Sequence, residues 1–132
     1  LLEAEALAVA VPLLDSQDIA RIDALREAVD RAAASADVAA ITDANRAFHF
    51  AVFELSGMPR LVRMIRTLWD ATDAYRSVYM STPANLDHMA REHKAMVDAM
   101  RRGDAAQVIA LQSSHRENTV SAVTQALSSR LA

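Results

Sequence analysis

Cysteine is absent from this sequence of 132 residues, and glycine and proline are scarce, with two and three residues respectively. The absence of cysteine excludes disulfides, thiolate metal sites and cysteine nucleophiles, and it permits a reducing compartment. So little glycine and proline in a chain that is 52% hydrophobic favours long helices over strands and turns. The sequence therefore predicts an all-α protein, and we expect it to be cytoplasmic.

The sequence also lacks an excess of basic residues and a long hydrophobic run. The net charge is −3, with acids and bases mixed along the chain, so this segment does not itself offer a basic face to nucleic acid. The apolar opening, residues 1–14, carries Glu3 and Glu5, has no basic leader and is too short to span a bilayer. We expect it to be a helix of the core, and we expect no membrane partner.

Apolar spacing and helix-breaking residues divide the chain into about six helices. Pro12 is predicted to kink or end the first, Asp15 or Ser16 to cap the second, and Asp104 with Gln107 to form a capping box for the last. After the apolar opening, the predicted helices cover about residues 16–35, 37–55, 59–80, 84–102 and 104–130. Short loops between them predict one domain over 1–132, an antiparallel bundle of about six helices.

Polar residues fall within the apolar arcs of several predicted helices. Asn45 and His49 lie one turn apart on the third helix, inside an arc that includes Phe48 and Val52. His93 lies within the arc of the fifth helix and His115 within that of the sixth. The methionines are predicted to fill the core, namely Met64, Met80, Met89, Met96 and Met100.

Three inward histidines from three helices have two interpretations. Each can be a core residue that bonds to a carbonyl or a hydroxyl, because an unpartnered buried imidazole is costly. Alternatively, the three imidazoles and an oxygen donor hold a metal such as zinc, nickel, iron or manganese, since neutral imidazole is the commonest biological metal ligand. Spacing alone leaves both open.

Arg76 is a further inward polar residue, within an arc of the fourth helix that contains Leu68 and Trp69. An inward guanidinium requires an anion, which is either a local acid such as Asp73 or a carboxylate ligand beside the metal. Thr72, one turn before Arg76, and Asn118, near His115 on the last helix, are candidates for further hydrogen bonds to that ligand.

At these residues the chain resembles the FCD domain, the effector domain of the FadR subfamily of GntR transcriptional regulators. The resemblance covers essentially the whole chain and depends on a set of short segments in order. They are Asn45-Arg46-Ala47-Phe48-His49, Leu55-Ser56-Gly57-Met58-Pro59-Arg60-Leu61, Glu92-His93, Gly103-Asp104 and His115.

The resemblance implies a divalent metal, zinc in the first place, with Asn45, His49, His93 and His115 as ligands. It also implies sensing without turnover, a homodimer, and a small carboxylate effector that binds the metal in a cavity inside the bundle. The inward guanidinium of Arg76 predicts that a polar group of this effector lies near Arg76. Operator DNA would be bound through a winged helix-turn-helix that these 132 residues do not contain. Many members have Asp where this chain has Asn45, and a neutral oxygen should hold a cation more weakly.

Two other classes of protein remain. Three histidines with open coordination positions also describe a metalloenzyme, although no obvious general base accompanies them on the inward faces. A plain helical interaction module would use the histidines only as bonded core residues. A ferritin-like di-iron bundle is excluded, because paired Glu-x-x-His motifs are missing and Glu54 is predicted to point outward.

Overall fold

The computed structural model describes all residues 1–132 and consists of six α-helices without a strand. The helices are α1 (Leu2–Ala10), α2 (Ser16–Ser35), α3 (Val38–Glu54), α4 (Pro59–Met80), α5 (Pro83–Arg101) and α6 (Ala105–Leu131). The all-α bundle predicted from composition and periodicity is confirmed, with boundaries within one or two residues of those expected for α2 to α6. No helix combines the length and hydropathy that a membrane span requires.

The connections follow from local side-chain chemistry. Pro12 sits in a single 3₁₀ turn, Val11–Leu13, that ends the first helical segment. Asp15 and Asp18 form a reciprocal capping box at the start of α2. Gly57, which follows the end of α3, has φ +68°, the left-handed conformation that glycine commonly adopts after a helix. Asp104 accepts a bond from the backbone N–H of Gln107, which is the half of the predicted box that the structure contains.

The helices pack as neighbours in an antiparallel bundle. Helix α3 lies between α2 and α4, α5 packs on α2 and α6, and α1 crosses α3, α4 and α6. The largest fully buried side chains come mostly from α2 to α5 and include Phe48, Phe53, Ile22, Ile41 and Met96. Helix α1 contributes Ala6, Leu7 and Ala10 to this core, as predicted for the apolar opening.

Two predicted core positions on α4 are wrong. Met64 and Leu68 are each 56% exposed, whereas the other four methionines assigned to the core are buried. The two residues lie one turn apart at the edge of the apolar arc, and no neighbouring helix covers that edge. Glu54 points outward as predicted and pairs with Arg66.

Candidate metal centre and effector cavity

The three inward histidines meet in the centre of the bundle. Helix α3 supplies His49, α5 supplies His93 and α6 supplies His115, and all three side chains are buried. Their ring centroids form a nearly equilateral triangle with sides of 5.0, 5.1 and 5.4 Å. One nitrogen from each ring lies within 4.8 Å of the others, so a single cation can reach all three.

Two of these imidazoles are held in the neutral form. Nε2 of His49 lies 3.2 Å from Nε2 of His93, so one ring donates to the other when no cation is between them. Burial lowers the pKa of His49 well below its usual value, and the nearby charges of His115 and Arg76 act in the same direction. Burial, followed by the charges of His49 and His115, likewise lowers the pKa of His93. Neutral imidazole is the form that ligates metals.

Asn45 provides the test of whether a cation fits. It lies one turn before His49, is 1% exposed, and its Oδ1 accepts no hydrogen bond. An unpartnered buried carbonyl is costly, and buried polar atoms normally have a partner. Nδ1 of His93 is a second buried atom without a partner. The donor set of three nitrogens and one amide oxygen, with that oxygen unpaired, therefore fits a divalent metal.

Glu92 lies behind His115 and was not anticipated from the sequence as part of the site. Its carboxylate accepts a short hydrogen bond from Nδ1 of His115 and another, of 2.6 Å, from Nδ2 of Asn118. Burial raises the pKa of Glu92, but the bonds from His115 and Asn118 outweigh it, and the net effect lowers the pKa. The ionised carboxylate fixes the ring so that Nε2 remains for a cation, which is the usual support of a metal-bound histidine.

The position of Asn118 differs from the one that its predicted role requires. Its amide is engaged with Glu92 and with His88, and it is not among the residues that line the cavity described next. In this structure Asn118 supports the histidine cluster from behind. A one-turn offset from His115 indicates proximity along the helix, but it does not decide which neighbour the side chain meets.

A cavity of about 700 Å³ opens beside the histidines, between α1, α4 and α6. Asn45 and His115 form part of its wall, so two of the four candidate ligands are in contact with it. The remaining lining comes from Leu1, from α1 (Leu2, Glu3), from α4 (Ile65, Leu68, Trp69, Ala71, Thr72, Tyr75, Arg76) and from α6 (Gln112, Arg116, Thr119, Val120, Val123, Thr124, Leu127). A pocket of this size suits a small organic molecule.

Arg76 and Thr72 line this cavity together, as their predicted role requires. Arg76 pairs with Asp73 at 2.7 Å, donates to Oγ1 of Thr72 at 2.7 Å and to the backbone carbonyl of Trp69, and lies 4.2 Å from the centre of the Trp69 ring. The anion that the guanidinium requires is thus Asp73, the local acid among the two predicted alternatives. Nε of Arg76 is buried without a partner.

Glu3 is a second acid at the site that the sequence did not indicate. Its carboxylate accepts bonds from Nε1 of Trp69 at 2.7 Å and Nε2 of Gln112 at 3.1 Å, and Arg116 lies 3.5 Å away. These contacts join α1 to α4 and α6 at the wall of the cavity. No periodicity within α1 could reveal them, because they depend on where α1 crosses the other helices.

Comparison with known proteins agrees with this architecture. Residues 1–118 match the family model of the FCD domain. The HTH-type transcriptional regulator McbR of Escherichia coli (strain K12) is 40% identical over 68 residues, which are 52% of this chain and 31% of McbR. The solved structure of E. coli McbR/YncC superposes with a TM-score of 0.86 at 26% identity, over 94% of this chain and 63% of that one.

The chain thus spans less than two thirds of either relative. The family model nevertheless matches most of its length, and the fold agrees along nearly all of it. The family predicted from the short sequence segments is confirmed, and this chain belongs to the FCD domain family.

Proposed function

We propose that this chain is the metal-dependent, carboxylate-sensing domain of a bacterial transcriptional regulator of the FadR subfamily. The observation that carries the proposal is a cluster of three buried imidazoles and an unpartnered amide oxygen, which opens onto a cavity of about 700 Å³. Binding of the effector in that cavity controls the affinity of an attached winged helix-turn-helix for operator DNA. The domain senses its ligand and does not turn it over.

Asn45, His49, His93 and His115 are the proposed metal ligands, and zinc is the first candidate. Zinc binds readily to nitrogen and oxygen donors in a tetrahedral set, while nickel, manganese and iron accept the same ligands with additional positions. A divalent cation held here supplies positive charge at the wall of the cavity. Glu92 orients His115 and compensates part of that charge from behind the ring.

A carboxylate is the ligand that this charge favours, because the four proposed ligands are all neutral. Arg76 adds a guanidinium to the cavity wall, with Thr72 beside it. Since Asp73 already pairs with Arg76, a ligand gains less from this arginine than from an unpaired one. We therefore assign Arg76 and Thr72 to orienting the ligand and the metal centre to its affinity, while Asn118 acts through Glu92.

Titration calorimetry with carboxylates tests the proposal. The protein is prepared loaded with zinc and free of metal, and metal content is measured by elemental analysis, with about one ion per chain expected after loading. Carboxylate binding should require the metal. Arg76→Ala should weaken it by about tenfold, the lower end of what loss of a charge-assisted bond costs, without a change in metal content.

Arg66→Ala is the matched control, because Arg66 is also ion-paired and on α4 but does not line the cavity. Carboxylate binding that is unchanged by metal removal would contradict the metal-dependent mechanism. Absence of metal after loading, with a melting curve that chelators leave unchanged, would favour a helical interaction module instead.

Assembly and location are part of the same proposal. A regulator that reads two-fold operators acts as a homodimer, and we propose that state for the protein. A regulator of this class works where the chromosome is, in the bacterial cytoplasm. McbR, an HTH-type transcriptional regulator, is about three times as long as the region that matches this chain, so the DNA-binding part of the proposal concerns the whole protein.

A metalloenzyme is the alternative function, and the structure offers one candidate catalytic group for it. Glu92 is an acid close to the histidines, but its carboxylate is engaged with His115, Asn118 and His88. Because the carboxylate bonds to Nδ1 of His115 and leaves Nε2 of that ring available, its geometry serves orientation of the ring. A general base would instead need to reach a ligand in the cavity.

A further inference from the structure

We infer that the effector is a monocarboxylate with an extended apolar body, such as an alkanoate of about six to ten carbons or an aryl-alkanoate. This inference rests on the proposed function, since the metal centre is taken to hold the carboxylate. It goes further by excluding compact polar acids, including small dicarboxylates and sugar acids, as the preferred ligands.

The first observation is the polarity of the cavity along α6. The wall residues of this helix run from Gln112 to Leu127, which lie fifteen positions apart and therefore about 22 Å apart at a rise of 1.5 Å per residue. The polar positions Gln112, His115 and Arg116 come first, at the level of the histidine cluster. Val120, Val123 and Leu127 follow, with threonine between them. A ligand anchored at the metal centre therefore extends along an increasingly apolar wall.

The second observation is the set of exposed apolar side chains around the cavity. Leu68 and Tyr75 on α4 are 56% and 54% exposed, and Val120 and Leu127 on α6 are 60% and 38% exposed. All four line the cavity. Apolar residues exposed singly are ordinary, whereas a group that borders one concave site marks a binding surface. The apolar body of a ligand would remove these side chains from water.

The third observation is the charge of Glu3 within the same wall. Its carboxylate lies between Trp69 and Gln112 near the polar end of the cavity, with only Arg116 as a cationic neighbour. A single ligand carboxylate can use the metal centre and Arg76. In a compact ligand a second carboxylate would meet the like charge of Glu3, and in an extended ligand it would lose its hydration along the apolar wall, so dianions are disfavoured.

A chain-length series tests this inference. Acetate, butanoate, hexanoate and octanoate are titrated into zinc-loaded protein, with succinate as the compact dianion and octanol as the uncharged analogue. Affinity should rise two- to fourfold for each added methylene, which gives at least about sixtyfold between acetate and octanoate. Succinate should bind more weakly than hexanoate, and octanol more weakly than octanoate.

Substitutions of exposed apolar residues that line the cavity test whether these side chains contact the apolar body of the ligand. Leu68→Gln and Val120→Gln should each weaken octanoate about three- to tenfold and leave acetate unchanged. Met64→Gln is the matched control, because Met64 has the same exposure as Leu68 and lies one turn away on α4, but does not line the cavity. It should leave both affinities unchanged.

The outcomes separate this inference from the function on which it rests. Zinc-dependent carboxylate binding without any dependence on chain length overturns the apolar body and leaves metal-dependent sensing intact. Dependence on chain length that is equal for octanol and octanoate, with or without zinc, overturns the carboxylate and the proposed function together. If the Leu68 and Val120 variants dissociate a dimer in sedimentation without altering octanoate affinity, these exposed apolar residues contact a second copy of the chain, and this result also overturns the inference.

Discussion

Asn45→Asp should have opposite effects on the metal-free and the metal-loaded protein. The side chain is 1% exposed and its Oδ1 has no partner, so a carboxylate in the same place is buried without a compensating donor. A cation bound by His49, His93 and His115 would supply the missing partner. The same substitution therefore weakens the fold in one state and strengthens metal binding in the other.

The size of the metal-free effect has an upper bound. A buried carboxylate can avoid its desolvation cost by taking up a proton, and protonating a group of pKa about 3.9 at pH 7 costs about 4 kcal/mol. The free energy of unfolding should thus fall by about 2 to 4 kcal/mol, which for a domain of this size lowers the melting temperature by roughly 10 °C. In the metal-loaded state an anionic oxygen replaces a neutral one, and the metal affinity should rise about tenfold.

Two measurements check this pair of expectations. Thermal unfolding is followed with a chelator and with saturating zinc, and zinc affinity is measured by competition with a fluorescent chelator. Asn45→Leu is the control, because it removes the unpaired oxygen: it should leave the metal-free protein about as stable as the wild type and should weaken zinc binding. A loss of melting temperature in Asn45→Asp that is equal with and without zinc, and unchanged zinc affinity, would refute Asn45 as a ligand.

Four further predictions concern the histidine cluster and the assembly. His93→Ala should abolish stoichiometric metal retention and remove the increase in melting temperature that zinc gives the wild type, since a ligand that binds only the native state stabilises it; an undiminished zinc effect would contradict this. Glu92→Gln should lower zinc affinity about tenfold by weakening the support of His115, and chelator competition measures it. Because the pKa values of His49 and His93 are lowered in the folded protein, the unfolded state binds more protons than the folded state below about pH 6.5. The free energy of unfolding of the metal-free protein should therefore be highest above that pH and should decrease as the pH falls, by up to about 1.4 kcal/mol per pH unit for each histidine. Chemical denaturation between pH 5 and 8 measures this dependence. Sedimentation should show a homodimer, and a monomer at all concentrations would remove that proposal for this chain.

The sequence determined the fold class and the positions of the ligand candidates. Scarce glycine and proline and the spacing of apolar residues specify helices, and capping residues such as Asp15 set their ends, because these signals act within a few residues along the chain. The periodicity of 3.6 also places Asn45 and His49 on one inward face, and puts His93 and His115 on the inward faces of two other helices. Short motifs then identified the family, which the match over residues 1–118 confirmed.

Only the tertiary structure decided which polar groups meet. Helical periodicity gives the direction of a side chain from its own axis but not the rotation and crossing of neighbouring helices, so the contacts of Glu92 with His115 and of Glu3 with Trp69 were inaccessible to it. The same limit misplaced Leu68, whose arc position is apolar but whose surface no helix covers. The cavity arises for a related reason: it is a space left between α1, α4 and α6 beside the histidine cluster, and this space is a property of their packing, which no single helix encodes.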